Sequence, residues 1–507
     1  MYQRNYLAEK LRAASLGTTK SMFLRSHKAG EEVTYEAFFA NVERVAKVLA
    51  ASGVEPGDRV AVQAPKTIAM LELYVATVLA GGVFVPLNTA YTPAEISYFL
   101  TDAEPRVFVC DLAREGELSP VAQDAGVVKV LTVGADESGS LVELRDSAAS
   151  GFNAACRGPD DLAAILYTSG TTGRSKGAML THKALASNAE TLKEAWRFSA
   201  DDVLIHALPI FHTHGLFVAT NITLMAGSSC IFIPKFEGDD ILRYMPQATV
   251  LMGVPTFYVR LLNSEGLAEA SANMRLFVSG SAPLLAETHD RWREVTGHAI
   301  LERYGMTETN MNTSNPYEGD RRAGTVGVPL PGIEVLVTDP ATGVSLPQGE
   351  TGVLEVRGPN VFAGYWNMPE KTAEELRDNG FFITGDLGRI DEDGYVHIVG
   401  RQKDLIISGG YNIYPKEIEL LIDEIEGINE SAVIGVPHPD FGEAVVAVVV
   451  AQAGAEASAS DIMAGIKGDL ARFKQPKRIE FVETLPRNAM GKVQKKTLRE
   501  DYDWVFK

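Results

Sequence analysis

Apolar residues in this chain gather in short runs separated by stretches of helical length, and that rhythm sets the fold class. Arg59–Gln63 is a short β-branched run, and Thr67 to Ala80 has helical length and good helix formers. Gly81-Gly82 ends that helix, and Val83–Leu87 reads as the next strand. Ile96–Asp102 followed by Arg106–Cys110 repeats helix and strand. Such alternation predicts βαβ units around a largely parallel sheet. Leu162–Leu166, Val203–Leu208, Ser229–Ile233, Thr249–Val254 and Leu276–Ser279 are further buried-strand candidates.

The pattern changes after about residue 325, where Gly and Pro become dense. Short strands Val353–Arg357 and Tyr395–Val399 sit between turns, with Asp391-Glu392-Asp393-Gly394 as a hairpin signal. Beyond Gly400 a compact α+β piece is expected. Its strands are Asp404–Ile407, Ser431–Pro437 and Ala444–Ala451, its helices Pro415–Ile425 and Asp461–Leu470, and a basic tail follows. The expected fold is α/β: a large N-terminal domain of βαβ subdomains with a small β-rich subdomain over residues 1–402, then a small α+β domain over 403–507.

A length of 507 residues exceeds one hydrophobic core and supports two or more domains. An apolar share of 46% and a charged share of 22% are those of an ordinary globular protein. The net charge of −19 argues against a nucleic-acid binder. Cys110, Cys156 and Cys230 are scattered without a C-x-x-C pair and read as reduced thiols in a cytoplasmic setting. The longest apolar run, Leu73 to Leu87, is broken by Gly81-Gly82 and Pro86, so no membrane insertion is expected. The first thirty residues carry several Lys/Arg and only Glu9 as an acid, a faint transit-peptide trait that a cytosolic enzyme also shows.

The richest local chemistry is Tyr167-Thr168-Ser169-Gly170-Thr171-Thr172-Gly173-Arg174-Ser175-Lys176-Gly177, placed behind the Leu162–Leu166 run. Glycines let backbone N–H groups approach an anion, hydroxyls add donors, and Arg174 and Lys176 add charge. The spacing is not that of a Walker loop, which needs G-K-[ST] after its glycines. The chemistry is a phosphate cradle; the bland alternative is a polar surface loop.

This string resembles the signature loop of the acyl-adenylate-forming enzymes: acyl-CoA synthetases, peptide-synthetase adenylation domains and luciferases. The resemblance implies that Thr168, Ser169, Gly170, Thr171, Thr172, Gly173 and Lys176 hold ATP phosphates, with Thr168 also near Mg²⁺. Arg303-Tyr304-Gly305-Met306-Thr307-Glu308 is similar to the family's Y-G-x-T-E. It implies Glu308 as a Mg²⁺ ligand, Thr307 at the α-phosphate and Tyr304 stacked on adenine, with Gly280, Ser281 and Ala282 also in the nucleotide site. Thr384-Gly385-Asp386 and Gly400-Arg401 match the ribose-binding pair, which makes Asp386 and Arg401 nucleotide contacts. Pro486 to Lys492 resembles P-R-x-x-x-G-K, which makes Lys492 the cation that stabilises charge growing during adenylation.

Around that lysine, Arg472 to Arg499 holds nine Lys/Arg against Glu480 and Glu483. Lys474 and Lys477 are candidates for the CoA phosphates, and Gly409 and Gly410 resemble the loop lining the pantetheine tunnel. Lys403 falls at the family's hinge, which implies a mobile C-terminal domain serving two half-reactions. His212 matches the gate of the acyl pocket. His206, His212 and His214 suggest a metal pair if they share a strand face, but no Cys or acid at ligand spacing supports one.

Ser279, His214, Arg303, Met311 and Asn312 match acyl-pocket positions. A buried guanidinium needs an anionic partner. A second carboxylate on the substrate would serve; a protein acid such as Glu302 or Glu308 is the alternative. The surrounding stretches, Leu208–Leu216 and Glu302–Pro316, resemble malonyl-CoA synthetases within the family. The resemblance implies ATP, Mg²⁺ and coenzyme A as reactants, malonate as the acid and methylmalonate as a second substrate. A CoA or carrier-protein ligase for another short acid is the nearest alternative. A nucleotide-binding regulator and a phosphotransferase are more distant ones. The partners expected are small molecules alone, and either a monomer or a dimer is compatible with the sequence.

Overall fold

The computed structural model describes residues 2–17, 21–27, 31–168, 175–408, 411–455, 457–488 and 491–506. Two compact units emerge. The first comprises residues 1–334 and 356–382, and the second comprises 335–355 and 383–507.

The first unit is built on two sheets. One runs Lys129–Val133, Val107–Asp111, Arg59–Gln63, Val83–Pro86, Leu162–Thr168, Lys176–Thr181. Its first four strands are parallel, and the last two form an antiparallel hairpin. The crossover helix Ile68–Leu79 is buried at every position and is capped by Thr67, whose side chain accepts from the Met70 N–H. Helix Pro93–Ala103 starts with a full capping box between Thr92 and Glu95. The sequence therefore reads correctly as βαβ here.

The second sheet contains Ser229–Phe232, Val203–His206, Val250–Gly253, Leu276–Ser279 and Leu301–Met306 as parallel neighbours. Met22–Ser26 extends it at one side. At the other side Asn310–Ser314 folds back antiparallel on Leu301–Met306. All five residues of Asn310–Ser314 are buried although four are polar.

In the second unit, Ile428–His438 and Gly442–Ala451 form a long hairpin. Its alternating side chains feed two cores. Val433, Val445, Ala447 and Val449 pack with Ile418, Ile422 and Ile462 of two helices. Ala432, Ile434, Val436, Val446 and Val448 pack with Leu485 and Leu498. Both faces are covered, so the run is continuously apolar rather than alternating. A smaller sheet orders Glu334–Thr338, Gly352–Arg357, Phe382–Ile390 and Val396–Arg401.

The compact division falls elsewhere than 402–403. Most of the small sheet groups with the C-terminal α+β piece, because Val396–Arg401 packs against helix Pro415–Asp423. Lys403 sits within the second unit, in a 3₁₀ turn spanning Gln402–Asp404.

Candidate active site

Ser169, Gly170, Thr171, Thr172 and Gly173, expected to form the phosphate loop, lie outside the described residues, as do Gly409 and Gly410. The strands flanking the loop are described. Thr168 pairs with Lys176 across the hairpin, and the Thr168 hydroxyl donates to the Lys176 carbonyl at 3.4 Å. Residues 363–366 run alongside the second of these strands: Ala363 N–H donates to the Met179 carbonyl, Met179 N–H to the Gly364 carbonyl, and Trp366 N–H to the Gly177 carbonyl. That backbone pairing brings Tyr365 to Lys176, whose Nζ stands 4.1 Å from the centre of the tyrosine ring.

Glu308 reaches the same place from the turn between Leu301–Met306 and Asn310–Ser314. The turn is held by a bulge at Gly305, where a Cβ would lie 1.9 Å from the Asn310 carbonyl oxygen. Only glycine fits. The buried Glu308 carboxylate accepts from the Tyr365 hydroxyl at 3.0 Å. The same hydroxyl stands 2.6 Å from Glu375 Oε2, and both Glu375 oxygens hold Lys176 Nζ, at 3.2 and 3.3 Å. Burial, with the charges of Glu308 and Glu375, pushes the Tyr365 hydroxyl far above its ordinary value, so it stays protonated and donates. Burial opposes ionisation of Glu375, but Tyr365, Lys371 and Lys176 outweigh it and hold that carboxyl below its ordinary value. Tyr365 and Glu375 carry no motif that singles them out in the sequence.

Among the described residues no group of three or more His, Cys, Asp or Glu could hold a metal. A closed protein cage is thus absent there, while one buried carboxylate suits Mg²⁺, which keeps waters and phosphate oxygens as its other ligands.

On the acyl side the expected residues come together. Leu276–Ser279 and Leu301–Met306 are neighbouring strands, and Asn310–Ser314 packs against a π-helix, His214–Thr220. Arg303 is 2% exposed. Its Nη2 donates to the Ser281 hydroxyl at 3.4 Å, and its Nε has no hydrogen-bond partner among the described residues. No described carboxylate lies within ion-pair distance of it. Glu302 instead accepts from the Leu284 N–H at 3.1 Å, and Glu308 is held by Tyr365. Burial drives the guanidinium down to about 9, against weaker raising effects of Tyr258 and Glu302. A Cβ on Gly280 would lie 2.5 Å from Arg303 Cζ, so the glycine makes room for the cation.

Neither ring nitrogen of buried His214 finds a hydrogen-bond partner among the described residues, and the same holds for Ser279 Oγ and Asn312 Nδ2. Burial, then the Arg303 charge, holds His214 neutral, well below its ordinary value. Asn188 brackets Met311, donating to its carbonyl at 2.8 Å and accepting from its N–H at 3.2 Å. Asn360 donates to Asn312 Oδ1 at 3.1 Å. The ring of His212 lies 4.7 Å from that of Phe211.

The three histidines are not arrayed on one strand. His206 ends its strand, and His214 opens the π-helix, so the shared-face geometry for a metal pair does not form. Lys66 Nζ lies 3.1 Å from His206 Nδ1 and donates to the carbonyls of His206 and Ile233, each at 2.7 Å.

In the second unit Asp386 and Arg401 face each other across the sheet, with Arg401 Nε 2.6 Å from Asp386 Oδ1. Thr384 buttresses this pair: its hydroxyl accepts from the Asp386 N–H at 3.0 Å and donates to the Leu354 carbonyl at 2.7 Å. Lys492 is exposed on a short turn in which its N–H donates to Asn488 Oδ1 at 3.0 Å. Arg487, which brackets that turn, is ion-paired to Glu430. Lys474 is engaged by Glu417 at 2.7 Å, whereas Lys477 is exposed and stands 5.2 Å from the Phe441 ring centre. No helix among the described residues is long and apolar enough to cross a membrane.

The model of the "AMP-binding enzyme" family matches residues 12–366, and that of the "AMP-binding enzyme C-terminal domain" matches residues 417–492. The fold superposes on ATP-bound MatB from Rhodopseudomonas palustris with a TM-score of 0.97 at 58% identity, covering 99% of this chain and all of that one. A malonate–CoA ligase of Arabidopsis thaliana is 35% identical over 88% of this chain and 78% of its own length. A long-chain-fatty-acid–CoA ligase of Bacillus subtilis is 33% identical over 93% and 90%.

Proposed function

We propose that this chain, which belongs to the AMP-binding enzyme family, joins malonate to coenzyme A in two half-reactions. In the first, a malonate carboxylate oxygen attacks the α-phosphorus of ATP; malonyl-AMP forms and pyrophosphate leaves. In the second, the CoA thiol attacks the acyl carbon; malonyl-CoA forms, AMP leaves and the thiol proton is released.

One observation carries the choice of acid. Arg303 is a buried cation with no carboxylate at ion-pair distance among the described residues, beside Ser281 and the uncharged His214. A fatty or aryl acid leaves that guanidinium uncompensated. A dicarboxylate supplies its counter-ion and leaves the other carboxylate to react. Methylmalonate is a second substrate on this reading, since one methyl discriminates by only about 1–3 kcal/mol.

The remaining roles rest on motif matches. Lys176 and the loop before it orient the β- and γ-phosphates. Glu308 and Thr168 serve Mg²⁺, which would neutralise phosphate charge. Tyr304, Gly280, Ser281, Ala282 and Thr307 serve the adenosine and α-phosphate, and Asp386 with Arg401 serves the ribose. Lys492 stabilises the adenylation transition state, and His212 gates the acyl pocket. Lys477, Lys474, Gly409 and Gly410 serve CoA, and rotation about Lys403 exchanges the two half-reactions.

Pyrophosphate release from ATP across a panel of acids tests the proposal. Malonate should support release far better than acetate, butyrate or benzoate, with AMP as coproduct. ADP as product, or acetate preferred over malonate, overturns it.

A further inference from the structure

Glu375 belongs to none of the motifs, yet three charged or proton-bearing groups converge on it. Lys176 Nζ reaches both its oxygens, at 3.2 and 3.3 Å, Lys371 Nζ lies 3.0 Å from Oε1, and the Tyr365 hydroxyl lies 2.6 Å from Oε2. Its side chain is 23% exposed, that of Lys176 18%. Glu375 ends the short helix Pro369–Glu375, whose Thr372 hydroxyl accepts from the Tyr365 N–H at 2.9 Å. Helix and tyrosine are thereby fixed to one another, and the tyrosine to the Lys176 strand by the backbone pairing at Gly177 and Met179.

We propose that Glu375 is a placeholder anion and a positioning residue for the nucleotide site. Without nucleotide it neutralises Lys176 and draws the single Tyr365 proton toward itself, away from Glu308. When the triphosphate arrives, Lys176 exchanges one anion for another, and its charge is never left uncompensated in a half-buried site. Because Tyr365 has one proton and two carboxylate acceptors, at 2.6 and 3.0 Å, Glu375 also limits how firmly that proton engages Glu308, the carboxylate proposed for Mg²⁺.

This inference rests on the ATP reading, and it makes a prediction that a merely structural residue does not. Glu375→Gln keeps shape and removes charge. ATP binding to the full chain, followed by calorimetry with EDTA present, should tighten about threefold to tenfold, since a competing negative charge is gone. The Mg²⁺ concentration that half-maximally strengthens ATP binding should rise by a similar factor, because the Tyr365 proton then turns to Glu308. Adding Tyr365→Phe should return that Mg²⁺ requirement toward the starting value. Glu375→Asp, which keeps the charge, should bind metal-free ATP like the unsubstituted chain. Any result in which the metal-free affinity and the Mg²⁺ requirement of Glu375→Gln fail to rise together overturns the placeholder, as does a double variant that keeps the raised requirement. An unsubstituted chain that binds no ATP overturns the nucleotide reading itself, and the placeholder with it.

Discussion

Replacing Arg303 by Met should make the protein a worse malonate ligase and a more stable protein at once. Burial drives the guanidinium from its ordinary range down to about 9. At roughly 1.36 kcal/mol per pH unit, that is about 5 kcal/mol against the charged form in the folded state. The sign follows from proton binding. Below pH 9 the group is charged in both folded and unfolded chains, so the whole penalty is present at neutral pH. It is relieved only as pH climbs above about 9, where the folded group gives up its proton while the unfolded chain still holds it. Met fills much of the same space without the charge, so the melting temperature should rise, reduced by whatever cavity remains near Gly280. Malonate meanwhile loses a buried, charge-assisted partner worth about 3–5 kcal/mol, or about 10²–10⁴ in kcat/KM. Acetate, which has no second carboxylate, should change by less than about tenfold. Thermal melts with and without malonate, beside pyrophosphate release on both acids, read all of this. Malonate should raise the melting temperature of the unsubstituted chain and not that of Arg303→Met. Equal loss on malonate and acetate, or a lowered melting temperature without ligand, would refute the reasoning and make Arg303 a structural residue.

Gly280→Ala offers an independent route to the same pocket: the added Cβ would lie 2.5 Å from Arg303 Cζ and push the guanidinium aside, so malonate should lose preference over acetate in a pyrophosphate-release competition. Lys492→Ala should reduce malonate-dependent pyrophosphate release by about 10² or more; thioester formation from supplied malonyl-AMP and CoA should persist, as a thiol-consumption assay would show. Stability should fall as pH drops below about 6.5, because burial holds His182 (down to about 4), His206 and His214 uncharged in the folded chain while the unfolded chain takes up protons. His182 alone accounts for about 3 kcal/mol of that loss by pH 4, so His182→Asn should flatten a melting-temperature series run from pH 8 to pH 5.

What could be read from sequence was what is local. The parallel strands and the Leu162–Leu166 run are contiguous apolar stretches that are largely buried, and apolar pattern finds those. Asn310–Ser314 defeats the same logic. It is polar and is nevertheless buried, because Asn188 and Asn360 supply its amide partners from distant segments. The π-helix at His214 is equally invisible to a period of 3.6. Its local cue is Gly215, where a Cβ would lie 2.0 Å from the Pro209 carbonyl oxygen, and that crowding exists only once the chain has folded. Tyr365 and Glu375 are silent in the sequence because their partners are remote: Tyr365 meets Glu308 across 57 positions, and Glu375 meets Lys176 across 199.

The acyl side then stands out by what it leaves unsatisfied. Ser279 Oγ, both nitrogens of His214, Arg303 Nε and Asn312 Nδ2 are buried without a protein partner among the described residues. Each such group costs about 1–3 kcal/mol in a core, so a cluster of them is expensive unless something satisfies it. A cluster of donors around one cation is the complement of an acceptor-rich anion, and the carboxylate of a short diacid is such a group. On the proposed reading, the right acid restores a withheld stability, and malonate-dependent stabilisation should vanish in Arg303→Met while the fold remains.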